Sequence, residues 1–129
     1  MNITIERHII GAGRAYVIAE IGNNHNGDIS RAKLLVDYAI KAGANCAKFQ
    51  IRHMSALYRN TGNLNGSDED LGAQYVIDLL AKFQLRDEEL FEVFDYCKAN
   101  GILPMCTPWD TSSLASLESY GLEAYKVAS

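Results

Sequence analysis

Residues 17–28 read VIAEIGNNHNGD, an apolar run that carries one glutamate and opens at once into a polar loop. The apolar residues predict a strand over 16–21, and Asp28 or Ser30 is a suitable N-cap for a helix after the loop. An isolated buried charge is costly in free energy. Glu20, near the carboxyl end of this strand, therefore indicates that the strand ends at a ligand pocket.

Strands and helices alternate along the rest of the chain, after a predicted hairpin over 3–10. Further strands are predicted over 45–51, 102–107 and 123–128, and helices over 31–42, 71–83, 87–99 and 110–120. The polar stretch 52–70 has no predicted element. This order predicts an α/β fold of parallel strands with crossover helices.

Length and composition are those of one soluble domain with its own core: 129 residues, 48% hydrophobic, 22% charged, net charge −4. The charge gives no support to nucleic acid or a membrane as partner. No apolar run approaches the roughly 20 residues of a membrane helix, and no secretion signal opens the chain, so we expect a cytoplasmic protein. The three cysteines, Cys46, Cys97 and Cys106, are predicted to be buried thiols, not disulfides or metal ligands.

Each predicted strand carries polar residues at its carboxyl end. They are Glu20, Lys48 and Gln50, Thr107, and Lys126 and Ser129. The carboxyl ends of parallel strands meet on one side of a sheet, where ligands bind in α/β proteins. Lysines and hydroxyls suit a small anion that carries phosphate or carboxylate, and a carboxylate suits a sugar hydroxyl or a proton transfer.

The competing interpretation is that a polar strand end simply meets water. It is weakest for Lys48, because the apolar run continues beyond it. His25 is either a turn residue or a ligand, Trp109 either packs under its loop or lines the pocket, and His53 is expected at the surface. GAGRAY (11–16) half-matches a dinucleotide fingerprint, but it lacks the last glycine and precedes a strand, so we expect no nucleotide site.

Several motifs together resemble the sialic acid (N-acetylneuraminate) synthase family. They are AEIGNNHNGD (19–28), RAKLLVDYAIKAGA (31–44), AKFQ (47–50), CTPWD (106–110) and YKVAS (125–129). The resemblance implies that residues 1–129 are the N-terminal half of a TIM (β/α)8 barrel. The second half and an antifreeze-like domain would be absent. We therefore expect a fragment that is inactive alone.

The resemblance also implies an activity, the condensation of phosphoenolpyruvate with N-acetylmannosamine or a related N-acyl hexosamine. The implied phosphoenolpyruvate-binding residues are Lys48, Thr107, Lys126 and Ser129, with Gln50 beside Lys48 as a further substrate-binding residue. Glu20 would face the sugar, and Glu20 and Lys48 are the implied catalytic residues. A divalent metal ion, manganese or magnesium, is implied with ligands outside this chain, namely two histidines of the second half. The full-length enzyme is expected to be a homodimer.

The segment after KFQ departs from the sialic acid branch and is closer to relatives of spore-coat and surface polysaccharide synthesis. Asn60, Asn63 and Asn65 are each candidates for the asparagine that contacts the sugar in that branch. Two other functions stay open. One is a phosphoenolpyruvate-condensing synthase of the 3-deoxy sugar acid type, and the other is a noncatalytic sugar-binding or assembly module.

Overall fold

A computed structural model describes residues 2–5, 7–11, 13–57 and 68–129, with the backbone alone for 68–74. The strands are β1 (Ile3–Ile5), β2 (His8–Ile10), β3 (Ile18–Gly22), β4 (Cys46–Ile51) and β5 (Leu103–Pro108). The helices are α1 (Ile29–Lys41), α2 (Met54–Leu57), α3 (Asp68–Lys82), α4 (Asp87–Ala99) and α5 (Thr111–Tyr120). Asn60, Asn63 and Asn65 lie outside the described residues.

The central sheet is parallel, in the order β3-β4-β5. Its register places Glu20 beside Lys48 and Gln50 beside Thr107. The two N-terminal strands form a separate antiparallel hairpin. The predicted α/β fold, with parallel strands, crossover helices and an N-terminal hairpin, is confirmed.

The helices cover one face of the sheet. Alternation points Phe49 and Ile51 of β4 toward the helices, where both are buried. They share a core with buried residues of α1 and α4, among them Val36, Val93 and Phe94. The rings of Phe49 and Phe94 lie 5.7 Å apart between centroids, as expected for a packed aromatic pair. This core fixes β4, and with it the side chains on the strand's other face.

The other face of the sheet has an apolar end and a polar end. At the amino ends of the strands, Cys46, Leu103 and Met105 form a buried cluster. Ile5 of the hairpin and Tyr16 pack against it. The N-terminal segment thus excludes water from this end of the face. The polar residues are left at the carboxyl ends of the strands.

Three local predictions were wrong. The segment 123–128 is not a strand, because within the described residues a single bridge pairs Tyr125 with Cys106 of β5. The short helix α2 lies in the stretch predicted to have no element. His53 is not a surface residue, since its side chain is only 28% exposed and lies between α4 and α5.

The three cysteines are free and buried, as predicted. Among the described residues, none of the helices has both the length and the apolar character that crossing a bilayer requires.

Candidate active site

Lys48 is the centre of the polar end of the sheet. Its ammonium lies 2.6 Å from Glu20 Oε2 and donates to Thr107 Oγ1 at 3.3 Å. Lys48 is 6% exposed and Thr107 is 2% exposed, whereas more than half of the Glu20 side chain is accessible. Strands β3, β4 and β5 each supply one of these groups, so the sheet register itself assembles the cluster.

Gly22 leaves the space in which this cluster forms. A Cβ at Gly22 would lie 3.1 Å from Glu20 Oε1 and 3.3 Å from Gln50 Nε2. The backbone φ of +54° is also one that side-chain-bearing residues rarely adopt. The glycine therefore permits Glu20 and the amide of Gln50 to approach each other beside Lys48.

Gln50 is hydrogen-bonded to Arg52, which the sequence did not predict in the site, and to Trp109, for which the sequence left two alternatives open. Its Oε1 accepts hydrogen bonds from Arg52 Nη2 at 3.0 Å and from Trp109 Nε1 at 3.3 Å. The Arg52 guanidinium lies 4.6 Å from the centre of the Trp109 ring, a cation–π contact. Trp109 thus lines the site, which resolves the two alternatives. Arg52 was missed, although the two-residue alternation from Lys48 through Gln50 leads directly to it.

The loop after β3 holds a buried histidine. His25 is 1% exposed, and its Nδ1 accepts a hydrogen bond from the backbone of Gly27 at 3.1 Å. Burial lowers the pKa of His25, and the negative charge of Asp28 opposes this only in part. At neutral pH the ring is therefore uncharged and carries its proton on Nε2. The structure shows His25 in the role of a turn residue, bonded to the backbone of its own loop.

A second cluster ties the end of β4 to the helices around the site. His53 Nε2 donates to the Asp87 carboxylate at 3.0 Å, and its Nδ1 pairs with Ser112 Oγ at 2.8 Å. The backbone N–H of His53 donates to Asp110 Oδ2 at 2.9 Å. Burial raises the pKa of Asp110, but hydrogen bonds from Ser113 and the His53 backbone lower it by more, so the carboxyl stays ionised. These contacts hold the end of β4 against the first turns of α4 and α5, next to Trp109.

Among the described residues, no hydrogen bond or ion pair joins Lys126 or Ser129 to Lys48. Both side chains are exposed, and within the part of the chain that the structure describes neither makes a side-chain hydrogen bond or ion pair. The Lys126 backbone N–H donates to Cys106 O at 3.0 Å, so the segment does run beside β5. Lys126 and Trp109 line a cavity of about 390 Å³ at this end of β5. Their predicted role in the site therefore stays a prediction.

The described residues do not fit a metal centre. They contain no group of three or more His, Cys, Asp or Glu side chains with the spacing of metal ligands. A lone Glu20 beside an ammonium is a poor cation site, because the ammonium already neutralises it. We assign none of these residues to a metal ion.

The arrangement is suited to binding an anion with oxygen atoms. A buried ammonium, a hydroxyl and an amide converge from neighbouring strands, and charged donors in a water-poor site hold oxyanions strongly. Glu20 now lies on the ammonium, so an incoming anion must share Lys48 with it or displace it. The more exposed carboxylate is then available to accept a hydrogen bond from a sugar hydroxyl.

Two curated proteins are similar to most of this chain. The spore coat polysaccharide biosynthesis protein SpsE of Bacillus subtilis is 29% identical over 116 residues, covering 88% of this chain and 30% of the relative. The N,N'-diacetyllegionaminic acid synthase of Legionella pneumophila is 33% identical over 119 residues, 88% of this chain and 33% of the relative. The chain thus spans about a third of the length of these curated relatives.

A solved structure matches nearly the whole chain. It is the N-acetylneuraminic acid (sialic acid) synthetase of Leptospira borgpetersenii serovar Hardjo-bovis, with a TM-score of 0.82 and 26% identity. The match covers 98% of this chain and 41% of that one. That protein is a TIM-barrel enzyme, so the predicted fold class is confirmed.

The family model described as the NeuB family matches residues 35–129, which include β4, β5 and the segment that carries Lys126. Together with a structural match over almost the full length, this confirms the predicted resemblance to sialic acid synthases. The chain belongs to the NeuB family.

Proposed function

We propose that this chain supplies the anion-binding side of a sialic acid synthase-like transferase. The reaction is the condensation of phosphoenolpyruvate with N-acetylmannosamine or a related N-acyl hexosamine, which gives a nonulosonic acid and phosphate. The observation that carries the proposal is Lys48, a buried ammonium at the carboxyl end of a parallel sheet, in contact with Thr107 and Glu20. The names of the relatives support the substrate class and a role in surface polysaccharide biosynthesis.

The roles of the residues follow from their chemistry. Lys48 and Thr107 hold the phosphate or carboxylate of phosphoenolpyruvate, and Lys126 and Ser129 contribute to the same anion in the complete protein. A carbon–carbon bond forms between C3 of phosphoenolpyruvate and the sugar aldehyde carbon, water adds to C2, and phosphate leaves. Lys48 stabilises the charge that stays on the leaving phosphate, and fixed cations in a buried site do this without reorganisation.

Glu20 has a different role. Its carboxylate is the acceptor in the cluster, and it faces the sugar, where it accepts a hydroxyl hydrogen bond or a proton. A divalent metal ion, manganese or magnesium, belongs to the proposal on family membership alone, with ligands outside the described residues. We also propose that the full-length protein is a cytoplasmic homodimer, and light scattering measures its oligomeric state. We propose that residues 1–129 alone are inactive, which an assay of this piece tests.

The deciding experiment is an activity assay on the protein from the complete gene. The protein is given phosphoenolpyruvate, manganese and a panel of N-acyl hexosamines, and phosphate release is followed. We expect release that depends on one sugar and falls by about 100-fold or more in Lys48→Ala, because the buried cation that offsets the phosphate charge is lost. Lys41→Ala, at an exposed lysine of α1, is the matched control and should keep full activity.

Other outcomes separate the alternatives. Release with a phosphorylated pentose, and with no hexosamine, would assign the protein to the 3-deoxy sugar acid synthases. A folded protein that releases no phosphate with any sugar contradicts a synthase. It would leave the sugar-binding or assembly module as the function.

A further inference from the structure

The orientation of the Gln50 amide is determined by its neighbours. Its Oε1 accepts from Arg52 Nη2 at 3.0 Å and from Trp109 Nε1 at 3.3 Å. Guanidinium and indole groups only donate, so the oxygen of the amide, and not its nitrogen, must face them. The usual ambiguity between the two ends of a glutamine amide is absent here.

The nitrogen end of the amide therefore lies on the side of the Lys48 cluster. Gln50 Nε2 is 3.3 Å from the point that a Cβ on Gly22 would occupy, and Glu20 Oε1 is 3.1 Å from the same point. The other oxygen of Glu20 contacts the Lys48 ammonium at 2.6 Å. The two N–H groups of Gln50 are thus on the side of Gly22 and Glu20, the carboxylate that is paired with the buried Lys48 ammonium.

Arg52 is itself held in place. It is 9% exposed, and its guanidinium stacks 4.6 Å from the centre of the Trp109 ring. Alternation along the extended chain puts Lys48, Gln50 and Arg52 on one face, so the arginine sits one step beyond the glutamine toward the rim. Stacking and burial leave the guanidinium few alternative positions, which makes it an effective orienting group.

We propose that Arg52 and Trp109 are positioning residues that lock Gln50 with its N–H groups directed at the bound anion. Gln50 then donates to a carboxylate or phosphate oxygen of the anionic substrate, next to the charge of Lys48. A donor fixed before binding costs less rotamer entropy on binding than a mobile one. This inference rests on the proposed function and names the residues that prepare its anion site.

A double-mutant cycle on the protein from the complete gene tests the inference. Arg52→Met keeps a long side chain against Trp109 and removes the hydrogen bond to Gln50. We expect the dissociation constant for phosphoenolpyruvate, measured by calorimetry, to rise about 10-fold in Arg52→Met and in Gln50→Ala. In the double variant it should lie within about 2-fold of Gln50→Ala alone, because Arg52 has no amide left to orient.

Additive effects in the cycle would overturn the inference, because they would mean that Arg52 acts on the anion or on the fold without Gln50. Trp109→Phe keeps a ring and removes only the Nε1 donor. We expect Trp109→Phe to raise the dissociation constant for phosphoenolpyruvate roughly 3-fold, and to have no effect when Gln50 is already replaced by alanine. This exposed position provides the answer if Arg52→Met does not fold. Arg31→Met, at an exposed arginine of α1, is the matched control and should bind as wild type does.

The two proposals fail in different ways. A wild-type protein that neither binds phosphoenolpyruvate nor releases phosphate contradicts the proposed function, and this inference with it. A wild-type protein that binds and turns over, but whose cycle is additive, contradicts the positioning role of Arg52 alone.

Discussion

Lys48 shows how a single charged residue is made tolerable inside this protein. Its side chain is almost fully buried, and its ammonium is paired with one carboxylate and one hydroxyl. A buried charge without such partners would be strongly destabilising. More than half of the Glu20 side chain is accessible, so under the proposed function this carboxylate can make room for an anion at Lys48. The buried charge of Lys48 is thus tolerated in the unliganded fold, and the same ammonium is suited to binding an anion.

His25 gives a prediction about pH. Its pKa lies below the ordinary 6.5 because it is buried, so the unfolded chain binds a proton more readily than the folded one. The stability that comes from keeping His25 neutral is fully present above pH 6.5 and is lost as the pH falls toward the folded-state pKa. The free energy of unfolding should therefore decrease between pH 7 and pH 5, by no more than about 1.4 kcal/mol per pH unit.

The measurement is urea unfolding at several pH values, with His25→Asn as the comparison. The asparagine oxygen replaces Nδ1 as acceptor for the Gly27 N–H but does not titrate. The variant should lose less stability on acidification than wild type. Equal pH dependence in the two proteins would show that His25 does not contribute.

Among the secondary structure elements, the loop after β3 is fixed by the end of α3. A Cβ on Gly27 would lie 2.8 Å from the carbonyl oxygen of Lys82, the last residue of that helix. A backbone carbonyl cannot move aside to relieve such a clash, whereas the end of a flexible side chain can. The loop that carries His25 therefore approaches the end of α3 more closely than a residue with a Cβ would allow.

Gly27→Ala should accordingly be more destabilising than Gly43→Ala. The two glycines have nearly equal φ angles, +74° and +78°, so the backbone strain of an alanine is about the same at both. At Gly43 nothing lies within 4 Å of the added Cβ. We expect a loss of about 1 kcal/mol at Gly43 and about 2 kcal/mol or more at Gly27, measured by chemical denaturation. Equal losses would mean that the loop and α3 separate at little cost.

At the scale of the whole molecule, the sheet is sealed on one face by helices and at one end of the other face by the N-terminal segment. All three cysteines are buried in this packing, Cys97 and Cys106 on the helix side of the sheet and Cys46 on the other side. Their reactivity is therefore a probe of whether the packing is intact. Burial raises the pKa of Cys97 to about 12, with a further rise from nearby Cys46, and burial likewise raises that of Cys106. The thiolate forms of Cys97 and Cys106 are therefore almost absent in the native protein at neutral pH.

Iodoacetamide at pH 8 should leave Cys97 and Cys106 unlabelled in the native protein and label both in guanidinium. Peptide mapping by mass spectrometry gives the extent of labelling at each site. Ser119→Cys, on the exposed side of α5, is the positive control and should react without denaturant. Native labelling at the rate of this control would show that the core opens without global unfolding.

Much of the molecule was predictable because local patterns carry the information. Apolar runs, caps and periodicity predicted the hairpin, three parallel strands and four of the helices. The alternation within AKFQ placed Lys48 and Gln50 on one face of the sheet and Phe49 on the other. The predicted strand over 123–128 failed because a strand depends on its neighbour, and among the described residues one bridge alone joins this segment to β5.

The amino-acid sequence was thus sufficient for the α/β class, the family resemblance and the polar strand ends, since each rests on residues close together in the chain. The contacts that make the site required the folded chain. Lys48 with Thr107, Gln50 with Trp109, and His53 with Ser112 are each 59 residues apart. Such contacts depend on the register between strands, which no local pattern specifies. Only that register makes Arg52 an orienting group for Gln50 and His53 a link between two helices.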